Sequence, residues 1–276
     1  MKTLRFIAII WLTSLSWANA QTVSTSDSVT VLFSGLEKPS ALYVTQHDLY
    51  IVEQGKSRIL QLDHSGNLVH SFGNKGSSDY QFNLPLDIDA TNGLKVFVSD
   101  VRNNRIQVFD KHWQLLSSIQ NISDITSNRQ IEPTWLGVNR VGELIFFDKR
   151  SKNLIKINEK GSFMDEIPLP LEVKDVSGLQ LNEGNIFIID KKQQVIHQLS
   201  ENGFYKSFYP AEGAQAFRKS NDGMWISRGN SLFKSGANKK DYFEVNSAKS
   251  IKDFVATEGI IYILTDNSLI KMLLPK

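Results

Sequence analysis

The chain contains no cysteine among its 276 residues, so no disulfide can stabilise the fold and no thiol can serve as a nucleophile or metal ligand. An excess of charge is also missing: 31 Lys and Arg stand against 29 Asp and Glu, and Lys2 and Arg5 at the start account for the difference. Net charge therefore predicts no partner, and any electrostatic preference has to come from where charges lie on the folded surface. Without disulfides, a large hydrophobic core has to stabilise the fold, and a chain of this length can supply one.

Long apolar runs are absent as well, apart from residues 6–17. This run is shorter than the roughly 20 residues that a membrane-spanning helix requires. Two bases precede it and Ala18-Asn19-Ala20 follows it, which is the pattern of a secretory signal, with a membrane anchor as the alternative. We predict a cleaved signal peptide over 1–20, followed by a short segment over 21–27. The protein is then exported, periplasmic or secreted, without an integral membrane segment, and the lack of cysteine is more typical of bacterial than of animal export.

Internal repeats are present and organise the rest of the chain. Each copy has an apolar strand that ends in an acid, a polar turn and a second alternating strand. The four clear copies are LYIVEQGKSRILQLDHSG (49–66), VFVSDVRNNRIQVFDKHW (96–113), LIFFDKRSKNLIKINEKG (144–161) and IFIIDKKQQVIHQLSENG (186–203), and weaker copies cover 224–236 and 261–274. The end of the first strand recurs every 37 to 48 residues, a period that suits four short strands per unit. These strand ends are Glu53, Asp100, Asp148, Asp190, Arg228 and Thr265.

Six such units predict one all-β domain over 28–276, a six-bladed β-propeller with four-stranded antiparallel blades. The last unit has only three strands, whereas an unassigned strand over 28–33 precedes the first unit. We expect this N-terminal strand to complete the last blade and close the ring. Closure covers a sheet edge that would otherwise favour aggregation.

The second unit resembles the NHL repeat family. In SDVRNNRIQVFD (99–110), the residues Asp100, Asn104, Arg105, Ile106 and Val108 match the family's pattern of strand, turn and Arg-Ile strand. The likeness covers residues 36–276 and is faint in the last two units. It implies a six-bladed propeller of the NHL or TolB-like type. It implies no single activity, since the family includes RNA-binding modules, protein-interaction modules and secreted lyases.

The innermost strand of each blade lines the central channel, and the strand period of two predicts which side chains face it. The predicted series is Ala41 and Tyr43, Asp87 and Asp89, Trp135 and Gly137, Gly178 and Gln180, Ala216 and Arg218, and Asp253 and Val255.

Three carboxylates of this series, Asp87, Asp89 and Asp253, are candidate ligands for calcium, which binds oxygen donors. Arg218 can pair with an acid or hold an anionic substrate, and Trp135 can stack on a sugar or peptide. The alternative is that a solvent-filled channel tolerates polar residues and that Trp135 packs between blades.

The turns between the second and third strands emerge on the same face as the starts of the inner strands, and many bases gather there. They are Lys56, Arg102, Lys149, Arg150, Lys152, Lys191, Lys192 and Arg228. The acids of the same turns are Glu53, Asp100, Asp148, Asp190 and Asp266, and we expect Glu53 and Asp100 to pair with Arg58 and Arg105, five residues further on. The face is either a surface for an anionic partner or an ordinary solvated surface.

Two functions remain open. The first is an exported binding module that presents the basic face and Trp135 to a protein or an anionic polysaccharide. The second is a calcium-dependent hydrolase or lactonase that uses the three channel carboxylates. The residues favour binding, because GxSxG and phosphate-binding motifs are missing and no three of the five histidines converge as a zinc-dependent lyase requires. We expect a monomer, and an exported protein would meet no nucleic acid in its native compartment.

Overall fold

Six four-stranded antiparallel sheets make up nearly all of the folded chain, which confirms the predicted six-bladed β-propeller. The structure is a computed structural model that describes residues 29–91, 93–123, 128–221, 223–235 and 242–274. The predicted signal peptide over 1–20 and the segment over 21–27 lie outside these residues. No helix in the described ranges is long and apolar enough to cross a membrane.

The first strand, β1 (Val29–Ser34), precedes the six blades. Each blade then follows in chain order, from its innermost to its outermost strand. Blade 1 comprises β2 (Pro39–Val44), β3 (Asp48–Glu53), β4 (Arg58–Asp63) and β5 (Leu68–Phe72). Blade 2 comprises β6 (Pro85–Asp89), β7 (Lys95–Asp100), β8 (Arg105–Asp110) and β9 (Leu115–Ile119). A short hairpin, β10 (Asn121–Ser123) and β11 (Asn128–Gln130), leads to the third blade.

Blades 3 to 6 repeat the arrangement. Blade 3 comprises β12 (Pro133–Val138), β13 (Leu144–Asp148), β14 (Asn153–Ile157) and β15 (Phe163–Ile167). Blade 4 comprises β16 (Leu179–Asn182), β17 (Asn185–Asp190), β18 (Val195–Ser200) and β19 (Tyr205–Pro210). Blade 5 comprises β20 (Ala216–Ser220), β21 (Gly223–Arg228), β22 (Ser231–Lys234) and β23 (Tyr242–Glu244). Blade 6 comprises β24 (Ile251–Thr257), β25 (Ile260–Thr265) and β26 (Ser268–Leu273), with β1 as its outer strand. The described helices are single 3-10 turns at Gln54–Lys56 and Val101–Asn103.

The N-terminal strand closes the ring, as predicted. β1 pairs antiparallel with β26, with Val31 opposite Ile270 and Ser34 opposite Ser268. The strand extends one residue beyond the predicted end at Phe33, and Ser28 lies outside the described part of the chain. The outer edge of β26 is therefore covered by backbone hydrogen bonds, which removes an edge that could pair with another chain.

The hydrophobic core is divided among the six gaps between adjacent blades. One cluster joins Val52 of blade 1 to Ile88 of blade 2, and another joins Trp225 of blade 5 to Phe254 of blade 6. A blade is covered on both faces, so its middle strands are rich in buried apolar residues, as in the run over 186–189. Because the last cluster joins blade 6 to blade 1, burial of apolar surface holds the ring closed together with the strand pairing.

Candidate functional site

The inner strands of all six blades surround a cavity of about 430 Å³. All twelve residues predicted to face the channel line this cavity, and so do five of the six intervening residues, Leu42, Ile88, Leu136, Leu179 and Phe217. Residues of the predicted series also pack against the following blade, as Ala41, Trp135 and Ala216 do. Leu42, Leu136 and Phe217, at intervening positions, pack against the preceding blade instead.

Asp87 and Asp89 of blade 2 reach the neighbouring blade 3 and bind its backbone. The Asp87 carboxylate accepts the backbone N–H of Leu136 at 3.0 Å, and the Asp89 carboxylate accepts that of Val138, also at 3.0 Å. The second oxygen of each accepts a nearby N–H of blade 2, from Ile88 and from Thr91 at the end of its inner strand. Both acids therefore connect the inner strand of blade 2 to that of blade 3, because an inner strand leaves one edge of backbone donors unpaired.

Asp253 and Arg218 form the corresponding connection around blade 6. The Arg218 guanidinium lies 2.6 Å from Asp253, so Arg218 pairs with an acid, one of the two roles expected for it. The same carboxylate accepts the backbone N–H of Leu42 in blade 1 at 2.8 Å. One buried carboxylate thus joins blades 5, 6 and 1.

Within the described residues, no group of three or more His, Cys, Asp or Glu side chains is arranged so that it could hold a metal ion. Blade 1 lies between blades 2 and 6, and each carboxylate is already bound to backbone donors. In the described residues these carboxylates form hydrogen bonds between blades, and calcium binding by them stays a prediction.

Burial shifts the acidity of all three groups. Loss of hydration, to which the nearby Asp253 adds, raises the pKa of Asp87 to about 7, although N–H groups of Leu136 and Ile88 favour the charged form. Burial also raises the pKa of Asp89, and that of Asp253 despite the adjacent Arg218. The channel wall therefore contains a carboxyl group, Asp87, that titrates near neutral pH.

The acids that end the second strands of blades 1 to 4 are fully buried. Each accepts a backbone N–H from the loop that precedes the inner strand of its own blade, at 2.6 to 2.8 Å. These acids and their donors are Glu53 with Glu37, Asp100 with Asn83, Asp148 with Glu132, and Asp190 with Lys174. Gly55 allows the loop to approach in blade 1, because a Cβ there would lie 2.6 Å from the Glu37 carbonyl oxygen.

The predicted pairs of these acids with arginines are present. Arg58 Nε lies 2.5 Å from Glu53, and Arg105 Nε lies 3.0 Å from Asp100. Arg105 is itself buried and also donates to the carbonyls of Ser78 and Gln81. The negative charges at these strand ends are thus enclosed and compensated within the protein.

The bases of the same turns remain at the surface. Lys56 pairs with Glu37 at 3.1 Å, Arg150 pairs with Glu132 at 2.8 Å, and Arg228 lies over the Phe233 ring. The others are exposed and form no ion pair within the described ranges; they are Arg102, Lys149, Lys152, Lys191 and Lys192. We call this side of the propeller the basic face: the surface around the channel mouth that is formed by these turns and the starts of the inner strands.

Trp135 and Lys191 both line the cavity near the basic face. Trp135 is half-buried and packs against the cluster between blades 3 and 4. Packing between blades is therefore compatible with an exposed part of the ring that could stack on a ligand. Sequence reasoning missed Lys252, which also lines the cavity and pairs with Asp266 at 2.7 Å. Its position next to Asp253, at the start of a channel-lining strand, was the available signal.

Comparison with known proteins identifies the repeat and the fold. The NHL repeat family matches residues 82–109, in the second blade, and confirms the resemblance seen there. Human E3 ubiquitin-protein ligase NHLRC1 is 34% identical over 65 residues, which are 24% of this chain and 16% of that protein. The chain thus matches about a sixth of the length of this relative.

Solved structures of proteins that are named as enzymes share the fold. A virginiamycin B lyase from Staphylococcus aureus superposes with a TM-score of 0.65 at 13% identity, covering 90% of this chain and 99% of that one. A gluconolactonase from Xanthomonas campestris gives 0.64 at 15% identity, covering 91% of each chain. At these identities the likeness establishes the propeller and leaves both binding and catalysis compatible with it.

Proposed function

We propose that this NHL-repeat β-propeller is a binding module that holds an anionic partner, protein or glycan, on its basic face. One observation carries the proposal: four acids of this face are buried and bound to loop N–H groups, whereas bases of the same turns are exposed. A balanced count of charges in the sequence therefore conceals an uneven surface. Such a surface attracts anions and orients them before contact.

The position of these bases around the channel mouth supports the same function. Lys149 and Lys192 extend from the turns of blades 3 and 4 and form no ion pair with the residues that the structure describes. A partner that contacts both would lie beside Lys191, which lines the cavity. With the predicted signal peptide, we place this partner in the periplasm or outside the cell.

Retention on an immobilised polyanion tests the proposal. The test variant is Lys149→Glu with Lys192→Glu, and the matched control is Lys111→Glu with Lys160→Glu, two exposed bases in turns of the opposite face. On both a heparin column and a polyglutamate column, we expect the test variant to elute at less than half the sodium chloride concentration of the wild type. The control should shift much less, because charges beyond a Debye length of about 10 Å are screened.

Two results would overturn the proposal. One is a wild-type protein that passes through both columns at low salt. The other is an equal shift for the two charge-reversal variants, which would mean that net charge alone decides retention. Thermal melting of all three proteins checks that the exposed substitutions leave the fold intact.

A further inference from the structure

The cavity is asymmetric at the level closest to the basic face. Blade 3 contributes the Trp135 ring there, whereas blades 4 and 5 have the small residues Gly178 and Ala216 at the corresponding channel positions. Lys252 of blade 6 lies on the far side, and Lys191 extends from the turn of blade 4. Trp135 of blade 3 thus lies across the cavity from Lys252 of blade 6, with Lys191 and the small residues of blades 4 and 5 between them around the ring.

Two donors at this level have no partner among the described residues. The indole N–H of Trp135 and the ammonium of Lys191 form neither a hydrogen bond nor an ion pair there, although both residues line the cavity. Other polar side chains of the channel are already used between blades: Gln180, for example, bonds to both the N–H and the carbonyl of Lys219. Trp135 and Lys191 are therefore two channel donors that remain available to a ligand.

The charges at the mouth favour an anion between the two lysines. Loss of hydration lowers the pKa of Lys191; Asp175 opposes this shift and the Lys252 ammonium adds to it. Asp175 accepts a hydrogen bond from Ser177 and Asp266 is paired with Lys252, whereas Lys191 forms no ion pair among the described residues. A carboxylate there would compensate both ammonium groups.

We propose that this half of the cavity binds one carboxylate-bearing sugar residue, a uronic acid of an anionic glycan. The carboxylate lies between Lys191 and Lys252, and the sugar ring lies against Trp135. The inference rests on the proposed binding of an anionic partner and specifies which chemical group enters the channel.

The residues favour a sugar over an acidic peptide side chain. Amphipathic aromatic rings offer both an apolar surface and an N–H donor, which suits a sugar ring with its apolar faces and hydroxyl groups. Asp87, next to Trp135 around the channel, supplies acceptor capacity beyond its bonds to Leu136 and Ile88. A cavity of about 430 Å³ also lies in the range of about 300–1,000 Å³ typical of small-molecule sites.

Calorimetric titration with short oligomers tests this assignment. The probes are trigalacturonate, the neutral trisaccharide maltotriose and the peptide triglutamate. We expect trigalacturonate to bind, and we expect both maltotriose and triglutamate to bind at least tenfold more weakly than trigalacturonate. Lys191→Gln should weaken trigalacturonate binding at least tenfold, while Lys160→Gln on the opposite face should change it less than twofold.

Trp135 requires two variants because its ring also packs between blades. Trp135→Phe keeps a ring but loses the indole N–H, and we expect a three- to tenfold loss; Trp135→Ala should lose more. If Trp135→Ala fails to fold, as melting would reveal, the phenylalanine variant alone decides, and unchanged binding overturns the role of Trp135.

The remaining outcomes separate this inference from the proposed function. If trigalacturonate gives no heat and no change in tryptophan fluorescence while the Lys149 and Lys192 variant still elutes early from the polyanion columns, the sugar site is wrong and the basic face stands. If triglutamate binds as tightly as trigalacturonate, the occupant is an acidic peptide and the assignment to a sugar is overturned. If the wild type is not retained by either column, the proposed function fails first.

Discussion

Blades 1 to 4 differ from blades 5 and 6 in how the second strand turns into the third. In the first four blades the turn has four residues, and the residue before the third strand has a positive φ between 51° and 59°. In the last two blades the turn has two residues. The long turns accompany a buried acid at the strand end, whereas the short turns follow Arg228 and Thr265.

The difference shows what the repeated acid is for. A four-residue turn and the loop beside it contain more backbone N–H groups than strand pairing can satisfy, and a buried carboxylate accepts several of them. Asp190, for example, accepts N–H groups from Lys174, Asp175 and Gln193. In the short turn of blade 6 a neutral hydroxyl suffices: Thr265 Oγ1 accepts the N–H of Ser268.

The largest effect expected from this comparison is the loss of a strand-end acid. Asp100→Ala leaves the buried Arg105 guanidinium without its carboxylate and the Asn83 N–H without an acceptor. Removing one partner of a buried ion pair costs about 3–5 kcal/mol in the free energy of unfolding. Thr265→Ala in blade 6 should cost about 1 kcal/mol, the net contribution of a neutral hydrogen bond. Urea denaturation of both variants measures the difference.

Glu159→Ala is the control for that pair, since Glu159 is exposed and forms no side-chain bond in the described ranges. It should change stability by less than about 0.5 kcal/mol. Equal losses for Asp100→Ala and Thr265→Ala would contradict the distinction between the two groups of blades.

Much of this architecture could be predicted from the sequence, because the information is local and periodic. The repeat spacing gives six blades, and the five-residue separation gives the pairs Glu53 with Arg58 and Asp100 with Arg105. The bonds from Asp87 and Asp89 to blade 3 could not be predicted. They depend on which backbone N–H groups of a neighbouring inner strand are left unpaired, and this is a property of the ring and not of one repeat.

The next effect concerns pH and contrasts a strand-end acid with a channel acid. Burial opposes ionisation of Asp190, but hydrogen bonds from Gln193 and from loop N–H groups outweigh it and lower its pKa. Asp190 therefore contributes stability above its usual pKa and loses it as the pH falls below that range. Asp87 has the opposite sign: with a pKa of about 7 in the folded protein, it favours folding at low pH and loses that contribution as pH rises from about 4 to 7.

Asparagine substitutions at both positions make the contrast measurable. Asp190→Asn should destabilise at pH 7, and by less as the pH falls below the usual pKa range of an aspartate. Asp87→Asn does not titrate, so its stability relative to the wild type should increase as the pH rises from 4 to 8, by on the order of 1–2 kcal/mol. This is less than the full pKa shift of Asp87 implies, because Asp87 borders the open cavity. Urea midpoints at each pH report both. The same sign of pH dependence for the two variants would show that the acids do not differ in this way.

The smallest effect belongs to Arg228, the base that stands where blades 1 to 4 have an acid. Arg228 is exposed, and its guanidinium lies 5.3 Å from the centre of the Phe233 ring. An exposed cation over an aromatic ring contributes about 0.5–1 kcal/mol, so Arg228→Ala should lower the free energy of unfolding by no more than that.

Arg228→Asp should not restore the stability that acids give to the first four blades. Blade 5 lacks a four-residue turn with N–H groups for the acid to accept, and the Ala216 N–H is already bound to Ser227. A gain of more than about 1 kcal/mol in Arg228→Asp would mean that the acid, and not the turn length, defines the difference between the blades.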